Sequence, residues 1–192
     1  MDYEKRSDKM YKAEFCEVNY EEKQDVVLMI NFAYLDKDAF DAVAFRIFNI
    51  LADNMEIIAP TGNEREEDYN CWYNGVSDAL KRNERQIILI KDADSIIGFF
   101  QYYTTEDTFM MEEVQLKTCY HGKNIFRKLY GFIIENIGKD LRFVEAYANV
   151  SNFKSIGILE RMGLSKIGMN KNGRSVHFKG SYGELLKWYK SK

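Results

Sequence analysis

The chain has 192 residues, of which 46% are hydrophobic and 30% are charged, and its formal net charge is −3 at pH 7. This length predicts a single domain spanning residues 1–192 with a sizeable core, and the acidic balance argues against a nucleic-acid partner, which usually requires a basic surface. No apolar run approaches the ~20 residues that cross a membrane and no signal peptide opens the chain, so we expect a cytoplasmic protein without a membrane partner.

The N-terminal part of the chain reads as one short strand followed by helices. Weak alternation predicts a strand over residues 11–18. Apolar residues at helical spacing predict helices over residues 21–33 and 36–52, with Asp36 as the N-cap of the second. A third helix is expected over residues 64–83, because acidic residues fill its first turn, where the helix dipole favours them.

The middle of the chain reads as an antiparallel meander that leads into a helix. Three runs rich in β-branched and aromatic residues, 86–91, 96–104 and 109–117, are separated by short polar turns and predict three consecutive strands. Apolar residues then recur every four positions and predict a helix with a wide buried face that ends near Gly138: Ile125, Leu129, Ile133 and Ile137.

The C-terminal part alternates between strands and a helix. We expect a strand over residues 141–148, a helix over residues 152–162 and a strand over residues 164–168. A hairpin turn at residues 170–173 then leads into a last strand over residues 174–179. This order of elements predicts a mixed α/β protein.

The junction between the meander and the helix after it has the chemistry of an anion site. An apolar strand ends at Leu116, a short polar turn is centred on Gly122, and the helix begins near Lys123. Such a junction directs free backbone N–H groups and the positive end of a helix dipole towards one point. Phosphate is the anion that such sites usually bind.

This segment resembles motif A of the GCN5-related N-acetyltransferase (GNAT) superfamily, in which a strand leads into a loop that binds the pyrophosphate of coenzyme A. The residues that match the motif in type are Val114, Leu116, Tyr120, Gly122, Lys123, Ile125 and Leu129. Asn124 and Phe126 replace two motif glycines, and His121 replaces the usual Arg or Gln. Asn tolerates the left-handed conformation, so Asn124 is a reasonable substitute, whereas Phe126 either crowds the phosphates or points into the core.

A second segment, downstream of the first, resembles motif B of the same superfamily. The residues that match are Asn152, Ser155, Ile156, Ile158, Glu160, Arg161, Gly163 and Leu164. The resemblance covers residues 86–180 well, and residues 10–85 only in the order of their elements. It implies an α/β (α+β) fold of the GNAT type: a mixed, mostly antiparallel sheet flanked by helices, with one splayed strand pair. Residues 86–180 would form the cofactor-binding core and residues 10–85 the acceptor side.

The resemblance implies an acetyl-coenzyme A-dependent N-acetyltransferase, with acetyl-coenzyme A as co-substrate and the primary amine of a small molecule or a protein as acceptor. In this superfamily the pantetheine arm lies between the splayed strands and the amine attacks the thioester directly. The residues that the resemblance places at the cofactor are Val114, Leu116, His121, Gly122, Lys123, Asn124, Ile125, Phe126 and Asn152.

An amine must be neutral to attack, so the site needs a base. Glu112 and Glu113 lie on the strand just before the cofactor contacts. Consecutive strand residues face opposite ways, so one of the two would face the cleft unless a bulge intervenes, and Glu113 is preferred. In many members of the superfamily, a tyrosine of motif B protonates the departing thiolate. This chain has Leu159 at that position, so Tyr120, Tyr147 or solvent would have to supply the proton.

Two alternatives stay open. The substitutions at Leu159, Asn124 and Phe126 favour a GNAT-fold module that binds coenzyme A or regulates a partner without chemistry. The other alternative is an unrelated α/β protein whose loop resembles a phosphate site by chance. No His, Cys or acidic cluster has the spacing of metal ligands, and the odd number of cysteines without a CxxC pair predicts reduced thiols. The helical segment before residue 85 permits a homodimer interface.

Overall fold

The computed structural model describes residues 28–138 and 140–191. Within them, seven strands form a single sheet. The strands are Ile30–Tyr34 (β1), Gln86–Asp92 (β2), Ser95–Thr104 (β3), Thr108–Leu116 (β4), Phe143–Asn149 (β5), Ser165–Met169 (β6) and Ser175–Ser181 (β7). The helices are Phe40–Ile58 (α1), Arg65–Lys81 (α2), Ile125–Asn136 (α3), Phe153–Arg161 (α4) and Tyr182–Lys190 (α5), with 3-10 turns at Lys37–Ala39 and Thr118–Tyr120.

The sheet has the order β1-β2-β3-β4-β5-β7-β6, and all of its strand pairs are antiparallel except β4 with β5. The parallel pairing of β4 with β5 runs from Thr108 opposite Phe143 to Met111 opposite Ala146, where it ends. The two strands continue beyond that point without pairing to each other. The mostly antiparallel sheet and the splayed strand pair that the sequence predicts are therefore confirmed.

Helices cover the two faces of the sheet and enclose two cores. On one face, α1 and α2 pack on β2 and β3 around fully buried side chains such as Ile47, Ile87 and Phe99. On the other face, α3, α4 and α5 pack on the centre of the sheet around residues such as Leu129 and Phe178. None of the helices described within residues 28–191 is both long enough and apolar enough to cross a membrane.

One prediction about the edge of the sheet needs correction. The helix predicted over residues 21–33 is wrong where the structure describes it, because residues 30–34 form β1, which pairs antiparallel with β2. Phe32 and Tyr34 pack on the Phe132 ring of α3, with ring centroids 5.7 and 5.6 Å apart respectively. Backbone pairing and these contacts outweigh a weak helical periodicity. The strand predicted over residues 11–18 lies outside the described residues.

One helix is longer than predicted, and one further helix is found that the sequence analysis does not predict. α1 continues to Ile58 instead of ending at Ala52. α5 was not predicted, although its start carries a recognisable signal. The Ser181 side chain accepts a hydrogen bond from the Glu184 N–H at 3.1 Å, in the S-x-x-E pattern of a capping box. The other predicted elements agree with the structure to within about two residues at most ends.

Gly98 is a position where β3 and β4 approach too closely for a side chain. A Cβ atom there would lie 2.4 Å from the Gln115 carbonyl oxygen and 3.0 Å from Leu116 Cδ1. We expect Gly98→Ala to lower the free energy of unfolding by about 2 kcal/mol, because the strands must move apart. Gly75→Ala is the matched control, since Gly75 lies inside α2 with no atom within 4 Å of its Cβ position.

The control should raise the free energy of unfolding by roughly 0.5–1 kcal/mol, as Gly-to-Ala substitutions in helices generally do. Urea denaturation of both variants measures the difference. Equal behaviour of the two variants would contradict the close approach of β3 and β4.

Candidate functional site

A cleft of about 520 Å³ opens where β4 and β5 diverge. Its walls come from the unpaired part of β4, from β5, from the C-terminal turn of α1 and from α4. Val114, Leu116 and Ala148 line it from the two strands, and Ile58 and Leu159 line it from the helices. The cleft exists because Met111 and Ala146 are the last residues that pair β4 with β5.

A second cavity of about 360 Å³ adjoins this cleft at the start of α3. Phe126, His121 and Lys154 line both cavities, so the two are neighbours in space. The basic residues that line the second cavity are Lys123, Arg127, Lys154 and Arg161. No acidic residue is among its described lining residues. An anion would therefore be favoured here over a cation.

The loop between β4 and α3 has the backbone geometry of an anion-binding turn. Gly122 has a φ angle of 78° and Asn124 a φ angle of 57°, so both residues adopt the left-handed conformation. The interpretation of Asn124 as a substitute for a motif glycine is thus consistent with its backbone. Asn124 is also the N-cap of α3 and provides no side-chain cap. The Asn124 side chain therefore does not use the first-turn N–H groups of α3, and residues 124–127 line the basic cavity.

His121 fastens this loop to the end of β4. Its Nε2 lies 3.0 Å from the Leu116 carbonyl oxygen, and its Nδ1 lies 3.1 Å from Lys154 Nζ. Because a carbonyl can only accept, Nε2 carries the proton and Nδ1 accepts from the lysine. Burial lowers the pKa of His121 against the opposing effect of the hydrogen bond to the Leu116 carbonyl, and the nearby Lys154 charge lowers this pKa further. His121 is thus a neutral anchor, and Lys154 is the cation beside it.

Phe126 lies in the first turn of α3, at the border of the two cavities. Its half-buried ring packs against the larger core. Of the two orientations that the sequence leaves open for this residue, the structure therefore shows contact with the core. Lys128 lies two residues after Phe126 on α3. It is exposed and is not among the described lining residues of either cavity.

A β-bulge decides how the two glutamates of β4 are presented. In the pairing with β3, Gln101 lies opposite Glu113 and Tyr102 lies opposite Met111, so Glu112 is the extra residue. A bulge interrupts the strict alternation of side chains along a strand. Both Glu112 and Glu113 consequently line the cleft.

The two glutamates nevertheless have different surroundings. Glu112 accepts hydrogen bonds from Arg85 Nη2 at 2.7 Å and from Gln101 Nε2 at 3.0 Å, so its charge is matched by a guanidinium. Glu113 accepts from Gln115 Nε2 at 2.6 Å and has no basic partner among the described ion pairs. Glu112 therefore belongs to an ion pair with Arg85. Glu113 instead accepts from the neutral Gln115 amide, so the Glu113 carboxyl is the better candidate for a chemical role.

Burial raises the pKa of Glu113 to about 7, against the opposing effect of the Gln115 hydrogen bond and with a further increase from the Glu112 charge. A carboxyl with a pKa near 7 is partly ionised at neutral pH and can both accept and release a proton. Of the two glutamates, Glu113 is the better base by this criterion.

The raised pKa of Glu113 predicts a pH-dependent loss of stability. Because the folded pKa lies above the unfolded value, the folded state holds its proton more tightly, and stability decreases as the pH rises from about 4.5 to about 7. Glu113→Gln removes this ionisation. We expect the variant to exceed the wild type by roughly 1–2 kcal/mol in free energy of unfolding at pH 8, and by much less at pH 4.5.

Urea denaturation of both proteins across this pH range measures the difference. The matched control is Glu135→Gln, which changes an exposed glutamate near the end of α3. A constant difference between wild type and Glu113→Gln at all pH values would contradict the raised pKa.

The structure separates the tyrosines that could protonate a leaving group. The Tyr120 hydroxyl donates to Asp92 Oδ2 at 3.0 Å, and this residue lines the basic cavity and not the cleft with the glutamates. Tyr147 lines the cleft, is 45% exposed, and stacks on His177 with ring centroids 4.3 Å apart. The structure thus places Tyr147, and not Tyr120, in the lining of the cleft that contains Glu113.

Asn152 is the N-cap of α4, because its Oδ1 accepts from the Ser155 N–H at 3.0 Å, and both residues line the cleft. Leu159, which replaces the motif tyrosine, is buried in the wall of the same cleft. Ile125 is buried at the start of α3 and contributes to the core beneath the loop. Within the described parts of the chain, no group of three or more His, Cys, Asp or Glu side chains is arranged to hold a metal ion.

Sequence reasoning gave no role in the site to four residues that line the two cavities: Asn54, Gln115, Lys154 and Arg161. It also missed Arg85, which lines neither cavity but pairs with Glu112. Gln115 carries a usable signal, because it lies two residues after Glu113 on one strand and so shares its face. Asn54 and Arg85 carry none, since they reach the site from distant parts of the chain through the packing of α1 and β2.

Comparison with solved structures identifies the fold. The PaiA N-acetyltransferase of Thermoplasma acidophilum, solved with coenzyme A, is similar with a TM-score of 0.61 at 12% identity over 81% of this chain and 100% of that one. A GNAT-family acetyltransferase structure from Desulfovibrio desulfuricans gives 0.60 at 14% identity, over 79% and 98%. A variant of the SpeG spermidine N-acetyltransferase of Vibrio cholerae gives 0.56 at 14% identity, over 82% and 96%.

No protein-family model and no curated protein matches the sequence. The structural likeness at these low identities establishes the fold: the chain has the fold of the GNAT acetyltransferases, as its two motifs predicted.

Proposed function

We propose that this protein is an acetyl-coenzyme A-dependent N-acetyltransferase that acts on the primary amine of a small molecule or a protein. The observation that carries the proposal is that two cavities with different lining residues lie side by side. A basic cavity at the left-handed loop adjoins a cleft between splayed strands, and the cleft contains a glutamate with a pKa near 7. One structural neighbour is a complex with coenzyme A, and another is a spermidine N-acetyltransferase.

In this proposal the phosphates of coenzyme A occupy the basic cavity. The loop amides from His121 to Phe126 and the N-terminus of α3 bind the pyrophosphate. Lys123, Lys154 and Arg161 add positive charge. The pantetheine arm then runs past Phe126 into the cleft, along the unpaired edge of β4 at Val114 and Leu116, with Asn152 on the opposite wall.

The chemistry follows from the contents of the cleft. Glu113 removes a proton from the bound ammonium, and the neutral nitrogen attacks the thioester carbonyl carbon. As the tetrahedral intermediate collapses, the C–S bond breaks and coenzyme A leaves as a thiolate. The nitrogen loses its second proton as the amide forms, and this proton reaches the sulfur through Tyr147 or solvent. Glu112 remains paired with Arg85 throughout and does not take part.

The proposal describes a single-domain cytoplasmic enzyme. Residues before 85 form its acceptor side, and α1 supplies Met55, Ile57 and Ile58 to the cleft that also contains the two glutamates. The acceptor amine therefore enters between α1 and the end of β5. A homodimer remains a prediction from the sequence.

A second candidate is a coenzyme A-binding or regulatory module without acetyl transfer. Leu159 favours it, because an apolar side chain lines the wall where the superfamily has its tyrosine. The two candidates share the cofactor site and differ only in turnover.

The test is the release of free thiol from acetyl-coenzyme A in the presence of a panel of primary amines, with acetylated products identified by mass spectrometry. The panel contains monoamines, diamines, polyamines and peptides with a free N-terminus or lysine. Thiol release that depends on one amine class, with one acetyl group added to that amine, is the expected result. Binding of acetyl-coenzyme A without release for any amine would replace the enzyme with the second candidate.

A further inference from the structure

We infer that Asn54 and Gln115 form a positioning relay that orients Glu113 and keeps it ready to accept a proton. The inference rests on the proposed function, in which Glu113 is the base. Neither amide residue is among the residues that match the two motifs. Asn54 lies on α1, more than fifty residues before the strand that carries Glu113.

The relay is a continuous chain of three hydrogen bonds that links the Leu116 carbonyl, Asn54, Gln115 and Glu113. Asn54 Nδ2 donates to Gln115 Oε1 at 2.7 Å and to the Leu116 carbonyl oxygen at 3.1 Å. Gln115 Nε2 then donates to Glu113 Oε1 at 2.6 Å. Gln115 is only 7% exposed, so water does not compete freely for its amide.

The Leu116 carbonyl fixes the direction of this chain. A carbonyl oxygen can only accept, so the atom of Asn54 that faces it must be the amide nitrogen. The same nitrogen faces Gln115, which must therefore present its oxygen to Asn54 and its nitrogen to Glu113. One backbone carbonyl on β4 thus determines that Glu113 receives a donor.

A donor at that position favours the ionised carboxylate over the neutral acid. It opposes the two influences that hold the proton on Glu113, which are burial and the neighbouring Glu112 charge. The other titratable or charged groups that line the cleft are Tyr147 from β5, Tyr130 from α3, Lys154 from α4 and His121 from the loop. Arg85 neutralises Glu112. Gln115 is the described side chain that donates to Glu113.

The test is the pH profile of kcat/KM for acetyl transfer by Gln115→Met, which preserves the volume and removes the donor. The acid limb of the profile should move to higher pH by roughly one unit, because a hydrogen bond to a charged group is lost. The rate on the high-pH plateau should change much less than the rate at pH 6.

Asn54→Ala should move the limb in the same direction by a smaller amount, because Gln115 remains but its amide is free to turn. Asn49→Ala is the matched control. Asn49 is also an asparagine of α1, and its Oδ1 accepts a hydrogen bond from Arg65 Nη2 at 2.9 Å. Asn49 does not line the cleft. The limb of Asn49→Ala should coincide with that of the wild type.

A second readout separates the relay from the enzyme activity. Titration of the Glu113 carboxyl carbon by NMR in the free protein, with the resonance assigned through Glu113→Gln, needs no substrate. A higher Glu113 pKa in Gln115→Met, without acetyl transfer by any protein tested, would keep the relay and overturn the proposed function. Active enzyme with an unmoved limb and an unmoved Glu113 pKa would overturn the relay.

Discussion

Glu113→Gln should lower kcat/KM for acetyl transfer by roughly 10²–10⁴-fold, the usual contribution of a general base. The amide has the shape of the carboxyl and cannot accept the ammonium proton, so the nucleophile stays protonated. The dissociation constant for acetyl-coenzyme A should change little, because Glu113 lines the cleft and not the basic cavity. The acid limb of the pH profile near pH 7 should also be lost.

Steady-state kinetics and calorimetric binding on the same preparation measure both quantities. Glu135→Gln, an exposed change near the end of α3, is the control and should match the wild type. Glu112→Gln distinguishes the two glutamates of the bulge. If Glu112→Gln abolished the acid limb and Glu113→Gln preserved it, the base would be Glu112 and the present assignment would be reversed.

The double variant Lys154→Ala, Arg161→Ala should weaken acetyl-coenzyme A binding by roughly a hundredfold. Each residue lines the basic cavity, and a charge-assisted hydrogen bond to a phosphate is typically worth about 1.5 kcal/mol or more. Because Lys154 is exposed, the lower end of that range applies and the effect should shrink as salt is added. His121 keeps its bond to the Leu116 carbonyl, so the loop should stay in place.

Titration calorimetry with two ligands makes this prediction specific. Acetyl-coenzyme A carries the phosphates, and S-acetyl pantetheine lacks them, so only the first should lose affinity. Lys128→Ala is the control, since this exposed lysine of α3 is not among the described lining residues of either cavity. Equal losses for both ligands would mean that the basic cavity does not hold the phosphates.

The elements that carry the site could be predicted, because each follows from the residue pattern of one short segment of the sequence. The β2–β3–β4 meander follows from alternating apolar runs and turn residues, and α3 follows from its four-residue apolar repeat. Asn124 could be read as a left-handed residue because few other side chains tolerate that conformation. The order of the two motifs then placed the cofactor loop and the strand pair of the cleft.

The residues that complete the site were not predictable, because they meet only in the folded chain. The register of β3 against β4 creates the bulge at Glu112, and register is set by pairing across the sheet. Asn54 reaches Gln115 because α1 extends to Ile58, beyond the predicted end of that helix. Tyr120 was a reasonable candidate by proximity in sequence, and its hydroxyl instead bonds Asp92 on β2.

The account depends most directly on the cofactor site, and thermal unfolding with excess acetyl-coenzyme A tests it in one measurement. A ligand at ~100 times its dissociation constant adds about 2.7 kcal/mol to the free energy of unfolding. For a chain of this size, that corresponds to a rise of roughly 5–11 °C in Tm. We predict such a rise for the wild type and a clearly smaller one for Lys154→Ala, Arg161→Ala at the same ligand concentration. An unchanged Tm at millimolar acetyl-coenzyme A would contradict both the enzyme and the coenzyme A-binding module, and would leave this chain with the GNAT fold alone.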